Sequence, residues 1–224
     1  MSTVIKLENV SKVFKNKELY KDVNLSIAKG ECIGIVGGNG TGKSVLFQIM
    51  TGLLPTDSGK VYVNDKLLGE KGMDFPENVG ILINEPGYIE YYSGLKNLKM
   101  LAQIRGLVDE NHIREIMKMV GLNPDDKTIV KKYSMGMKQK LGIAQAIMEN
   151  QDIIVLDEPY NALDFQTNKD ITAILEKLKN QGKTLLLTSH QHNYLEKLCD
   201  KIYCIDEKKV VAFNEDLKEK YFGM

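Results

Sequence analysis

The chain opens with residues that alternate across the two faces of a ribbon. Residues 3–10 alternate loosely and are rich in strand formers. Between positions 19 and 27, Val23, Leu25 and Ile27 are apolar while Asp22, Asn24 and Ser26 are polar. Together these runs predict a small antiparallel sheet. Glu31-Cys32-Ile33-Gly34-Ile35-Val36 is a short, nearly continuous apolar run, as expected of a buried strand, and Val45-Leu46-Phe47-Gln48-Ile49-Met50 reads as a helix. Val61-Tyr62-Val63 followed by Asn64-Asp65 predicts a further strand and its turn. From about Tyr88 the period lengthens. Leu95, Leu98, Leu101 and Ala102 share one helical face, and so do Ile113, Ile116, Met117 and Val120, with Gly121 and Pro124 closing the segment. Another helix starts near Ser134, with Met137, Leu141, Ala144 and Met148 on one side. Residues 88–150 therefore read as a helical subdomain inserted into an α/β body. The body resumes with the strand Ile153-Ile154-Val155-Leu156, an amphipathic helix carrying Ile171, Ile174, Leu175 and Leu178, and the strand Thr184-Leu185-Leu186-Leu187-Thr188. Residues 202–205 and 210–213 flank the polar Asp206-Glu207-Lys208-Lys209 as a hairpin. Strands alternating with helices imply a mostly parallel sheet covered on both faces. The expected fold class is α/β, with a single domain over residues 1–224 and an N-terminal antiparallel β subdomain.

The chemistry starts between the third apolar run and its helix. Gly37-Gly38-Asn39-Gly40-Thr41-Gly42-Lys43-Ser44 fits the P-loop pattern, and it stands between a strand and a helix as that motif requires. The glycines let successive backbone N–H groups turn inward around a phosphate, and the helix N-terminus, continuing through Val45, adds its partial positive charge. Lys43 would reach the terminal phosphates and the Ser44 hydroxyl would ligate magnesium. Asp157-Glu158 ends an apolar strand, where a carboxylate projects from the sheet edge toward the P-loop. Asp157 is placed to hold magnesium, and Glu158 to polarise an attacking water. His190, after Thr188-Ser189, emerges at the same edge, in position for a γ-phosphate contact. His112 and His192 have no such setting and are expected to be solvated.

Thirty basic residues balance thirty acidic ones with no long block of either sign, which argues against a nucleic-acid partner. The three cysteines, Cys32, Cys199 and Cys204, lack metal spacing and are expected as reduced core residues of a cytosolic protein. No signal peptide or myristoylation pattern is read at the N-terminus, and no run of eighteen apolar residues occurs.

These motifs resemble, in order and nearly end to end, the nucleotide-binding subunit of an ATP-binding cassette (ABC) transporter. The discriminating piece is Tyr133-Ser134-Met135-Gly136-Met137-Lys138-Gln139, which is similar to the family signature. Asn161-Ala162-Leu163-Asp164 resembles the loop after the catalytic acid, and His190 matches the switch histidine. The resemblance implies an ATPase with a P-loop NTPase core, using ATP and Mg2+. It implies a head-to-tail pair of cassettes, identical or different, with ATP held between the P-loop of one and Ser134 and Gly136 of the other. It further implies a membrane permease on a separate chain and a place on the cytoplasmic face of the membrane. Ser134 opens a helix, so its hydroxyl can meet a phosphate or cap its own helix. Phe14 resembles the aromatic that stacks on adenine, and can equally sit beneath the small sheet. The inter-lobe glutamine of the family aligns with Asn84, one methylene shorter, and Glu85 can substitute as the ligand to magnesium and water. Tyr133, Met135 and Met137 depart from the usual signature. With the loop form Ile81-Leu82-Ile83-Asn84-Glu85-Pro86-Gly87, they look like the antibiotic- and lantibiotic-export branch, including bacitracin-resistance-type cassettes. The rival expectation is a soluble ATPase of the same superfamily acting on DNA or ribosomes.

Overall fold

The computed structural model describes residues 2–70, 75–84 and 86–223. In chain order the first elements are β1 (Thr3–Phe14), β2 (Lys17–Ala28), β3 (Cys32–Val36), α1 (Lys43–Met50), β4 (Ser58–Val63), β5 (Lys66–Leu67) and β6 (Val79–Leu82). The helical stretch follows as α2 (Gly94–Arg105), α3 (Glu110–Met119) and α4 (Met135–Ile147). The chain closes with β7 (Ile153–Leu156), α5 (Phe165–Asn180), β8 (Thr184–Thr188), α6 (His192–Leu198), β9 (Lys201–Asp206), β10 (Lys209–Ala212) and α7 (Glu215–Phe222).

Two sheets result. The first, in the order β2-β1-β4-β5, is antiparallel throughout. The second runs β10-β9-β3-β8-β7-β6 and is parallel except for its edge hairpin β9–β10. This is the expected class. Strand β3 sits between β9 and β8, so chain connections leave it in both directions, and the crevice beyond its C-terminal end is where such sheets bind ligands.

Period-two alternation divides the core. Ile33, Ile35, Ile153, Val155 and Leu186 face α1 and the antiparallel sheet. Their neighbours Cys32, Val36, Ile154, Leu156, Leu185 and Leu187 face a second cluster shared with α2, α3 and α4. Helix starts are capped by side chains: Ser93 accepts from Lys96 N–H, Asp109 from His112 N–H, Ser134 from Met137 N–H and Asp164 from Thr167 N–H. The β1–β2 pair breaks register around Asn9 and Asp22, both with positive φ, and the amide of Asn24 reaches across to Asn9 at 3.0 Å. These bulges shift the phase of β2 and turn Tyr20 fully into the core.

Gly80, on β6, marks the closest approach of helix to sheet, because a Cβ there would overlap the Ala146 carbonyl oxygen outright. Gly80→Ala is therefore expected to destabilise the fold by about 2–3 kcal/mol or more, since backbone rather than a flexible side chain must yield. Chemical denaturation measures this, and a midpoint equal to wild type would refute the contact.

Among the described residues no helix is long and apolar enough to cross a membrane. Cys32, Cys199 and Cys204 are free thiols, Cys32 and Cys204 buried and Cys199 half-buried. The neighbouring Cys32 sulfur at 3.6 Å and burial push the Cys199 thiol far above its ordinary range, which makes it a poor nucleophile. His192 corrects an expectation. It is 3 % exposed, not solvated, with its ring 4.4 Å from that of Phe222. His112 is half-buried, with Nε2 shielded from solvent.

Candidate active site

The sheet delivers three segments to one edge. Strand β3 leads into the P-loop, β7 into Asp157-Glu158 and β8 into Ser189-His190. Past Val36 the backbone passes through Gly37 at φ +150, Gly40 at φ +72 and Gly42 at φ +104, conformations that side-chain-bearing residues rarely hold. Gly42 occupies the N-cap of α1, no side chain caps the helix, and its first turn carries no acid. The orphan amides of that turn are thus left for an anion.

The loop is braced from several sides. Lys43, 7 % exposed, donates from Nζ to the Gly37 carbonyl at 3.0 Å and to that of Gly38 at 3.4 Å. The Thr41 hydroxyl donates to Gly38 O at 2.9 Å, Lys17 Nζ to Gly40 O at 3.0 Å, and the buried Tyr20 hydroxyl to Gly42 O. Burial lowers the Lys43 pKa, while Glu158 and Asp157 pull it back up.

Thr188 registers the two strand ends against each other. Its hydroxyl donates to Asp157 Oδ1 at 2.6 Å and accepts the Glu158 N–H at 2.7 Å. That bond holds Glu158 at φ +51, a left-handed conformation costing a non-glycine residue on the order of 1 kcal/mol or more. Glu158 Oε2 accepts the His190 N–H at 3.0 Å. Its Oε1 lies 3.3 Å from His190 Nε2, yet the geometry is not that of a hydrogen bond, and Oε1 is buried without such a partner. Burial raises the Glu158 pKa above the ordinary carboxylate range, against the opposing pull of His190 and Lys43.

Two adjoining clefts meet at Ser44 and Glu158. One, about 550 Å³, is lined by Phe14, Lys15, Lys17 and Leu19, by Asn39, Gly40, Gly42, Lys43, Ser44 and Val45, and by Glu158 and His190. The other, about 520 Å³, gathers Ser44, Asn84, Asp157 and Glu158 opposite Met135, Lys138 and Gln139 of α4, with Asn161 and Ala162 beside them. Phe14 is half-buried. It packs against the small-sheet core and still lines the first cleft. Asn84 is exposed at φ +61, and Glu85 lies outside the described residues. Ser134 and Gly136 line neither cleft. The Ser134 oxygen caps α4 at 3.2 Å, and Gly136 packs so closely on α5 that a Cβ would come within 2.8 Å of Thr167. Lys17, Tyr20 and Thr188 are the site residues that motif reading passes over.

The set fits both groups the motifs imply. An uncapped, acid-free helix start beside Lys43 suits a polyphosphate. The Ser44 hydroxyl, the Asp157 carboxylate and the Asn84 amide, gathered in one cleft, offer hard oxygen donors suited to magnesium. A sequence model of the family described as ABC transporter matches residues 20–161. The chain belongs to the ABC transporter family. The cassette is 32% identical over 212 residues to the lantibiotic transport ATP-binding protein SrtF of Streptococcus pyogenes, covering 95% of this chain and 91% of that one. It is 34% identical over 213 residues to the bacitracin transport ATP-binding protein BcrA of Enterococcus faecalis, covering 94% and 69%. Among solved structures it resembles a dimeric ATP-binding cassette in a post-hydrolysis state bound to ADP and Pi, with TM-score 0.82 and 28% identity over 92% of this chain and 96% of that one. The cassette is thus the ATP-binding, ATP-hydrolysing subunit of an ABC transporter.

Proposed function

We propose that the cassette holds ATP over the P-loop, that Glu158 is the base for its hydrolysis, and that the cycle drives a permease on another chain. The observation that carries this is the buried, unbonded Oε1 of Glu158 at the junction of the two clefts, 3.3 Å from His190 Nε2, in a carboxylate that feels the charge of Lys43. Glu158 takes the proton of the attacking water. The new P–O bond forms at the γ-phosphorus as the bond to the bridging oxygen breaks. Lys43, His190 and the loop amides stabilise the charge on the transferring group. Magnesium, held by Ser44 and Asp157 with Asn84 close by, would neutralise charge on the β- and γ-phosphates. Residues 1–224 act as one ABC ATPase domain, with the helical insertion at about 88–150 facing the permease.

Relatives named for lantibiotic and bacitracin transport support export of a peptide antibiotic or similar small molecule. The cassette would then work on the cytoplasmic face of the membrane, held there by its permease. Purification from gently solubilised membranes should recover a polytopic membrane chain in fixed ratio with the cassette. Recovery with ribosomes or DNA alone would overturn the transport reading.

Phe14 is proposed to stack on the base. Phe14→Ala is expected to weaken ATP and GTP binding by similar factors, about 1–3 kcal/mol each, because every base has a π-face, whereas Phe14→Tyr is nearly silent. Calorimetric titration with each nucleotide measures this. Unchanged affinity per folded molecule with a collapsed melting temperature would instead make Phe14 a core residue.

A further inference from the structure

We propose that Tyr221, on the C-terminal helix α7, is a positioning residue for the P-loop, bracing it from the side opposite the nucleotide. This rests on the reading of the P-loop as the phosphate site. The first two loop glycines lean on the C-terminal part of the chain. A Cβ at Gly37 would meet the Ile205 carbonyl at 3.2 Å, and a Cβ at Gly38 would lie 3.7 Å from Cε1 of Tyr221. The Tyr221 ring edge therefore stands beside Gly38, whose carbonyl accepts from Lys43, at the distance where a side chain on that residue would make van der Waals contact with it.

The ring is held in that place by a set of anchors. Its hydroxyl donates to Asp206 Oδ1 at 2.6 Å, and Lys220 binds the same oxygen at 2.7 Å. Lys218 pairs with Glu196 of α6 at 2.8 Å. The Phe222 ring lies tilted against buried His192, two residues beyond His190, and meets Phe213 edge-on at 6.0 Å. Asn214 caps the start of the helix by accepting the Leu217 N–H at 3.0 Å. The eight-residue helix buries none of its own residues fully, and Leu217, Tyr221 and Phe222 pack only partly against the core, so these anchors add to what fixes its place. Its anchors lie on β9, which pairs with the P-loop strand β3, and on α6, which begins two residues after the histidine. A loop built from glycines has few conformational restraints of its own, so an outside brace sets how much ordering is left for ATP to supply.

The test is steady-state ATPase kinetics with magnesium and ATP, together with calorimetric ATP binding, on Tyr221→Ala and Tyr221→Phe. Alanine removes the brace and should raise KM and the dissociation constant about tenfold while kcat stays within about twofold, a split that a smaller folded fraction would not produce. Phenylalanine keeps the ring but frees it from Asp206, and should fall between, at about threefold. If Tyr221→Ala does not fold, Tyr221→Phe alone decides. Wild-type KM in either folded variant overturns the proposal, as does a fall in kcat with KM unchanged. Lys43→Ala, run alongside, separates the two levels. If it abolishes binding while the Tyr221 variants behave as wild type, only the brace is refuted. If it binds ATP normally, the P-loop reading itself fails.

Discussion

Glu158→Gln is expected to lose about a hundredfold or more of ATP turnover while still binding ATP. The substitution keeps the acceptor for the His190 N–H but removes the proton-accepting carboxylate at the mouth of the P-loop. The variant should also accumulate as an ATP-bound dimer, because closure is no longer relieved by hydrolysis. Two pH signatures follow from the raised pKa of this group. In the wild type the acid limb of kcat/KM should lie above the ordinary carboxylate range, since the base must first lose its proton. For stability, a carboxyl whose folded pKa is raised contributes stability below its unfolded value and loses it as pH rises through the folded one. At neutral pH the buried charge therefore weighs against the nucleotide-free fold. Glu158→Gln should melt no lower than wild type there, and its advantage should vanish in acid. Turnover at the wild-type rate in the pure variant would remove Glu158 from the mechanism.

Ser134→Arg is expected to abolish hydrolysis and spare the first ATP-binding event. Ser134 and Gly136 line neither cleft of their own chain, which fits a phosphate contact made with a second cassette. An exposed arginine at that helix start would prop the closing interface open. Wild-type turnover should accordingly rise more steeply than linearly with protein concentration. Mixing decides the matter. In a dimer of one Ser134→Arg chain and one Lys43→Ala chain, both lesions can fall in one composite site and leave the other intact. Mixtures should then recover activity that neither variant has alone, provided the two sites are not strictly coupled. Concentration-independent turnover by a monomeric Ser134→Arg chain would refute the composite site.

The site was legible where chemistry and strand ends coincide. Gly37 to Ser44, Asp157-Glu158 and His190 each follow a buried apolar run, and parallel pairing brings those ends to one edge. What escaped the reading depended on contacts distant in sequence. Strand β6 is four residues long and contains Gly80, so its apolar run reads as part of a loop; pairing with β7 makes it a strand. Tyr20 could not be placed because the bulge at Asp22 breaks the period that would have predicted its face. Thr188 looks like the last residue of a strand, and only the neighbouring strand end gives its hydroxyl a task. His192 sits among polar neighbours in sequence, and is covered by Phe222 from thirty positions away. Helix α7 is mostly charged, and its apolar face of Leu217, Tyr221 and Phe222 is too short a stripe to announce it.

Helix α4 has a mechanical consequence. Its second half is seated on β6: Ala146 rests on Gly80, and a Cβ at Gly142 would come within 2.8 Å of Pro86 and 3.0 Å of Leu82. Its first half projects from that seat and carries Ser134 at the tip. The thirteen-residue helix is a lever about 20 Å long, clamped on β6 at one end and resting on α5 at the other, where Gly136 meets Thr167 and Lys140 pairs with Asp170 at 2.7 Å. Rotating the clamp by about 15° would swing the tip about 5 Å. Pro86, part of the clamp, is also two positions from Asn84, and both line the cleft that holds Ser44 and Asp157. A push on that short loop that turns the clamp is therefore felt as a larger displacement of Ser134, which carries the contact with α5 along with it.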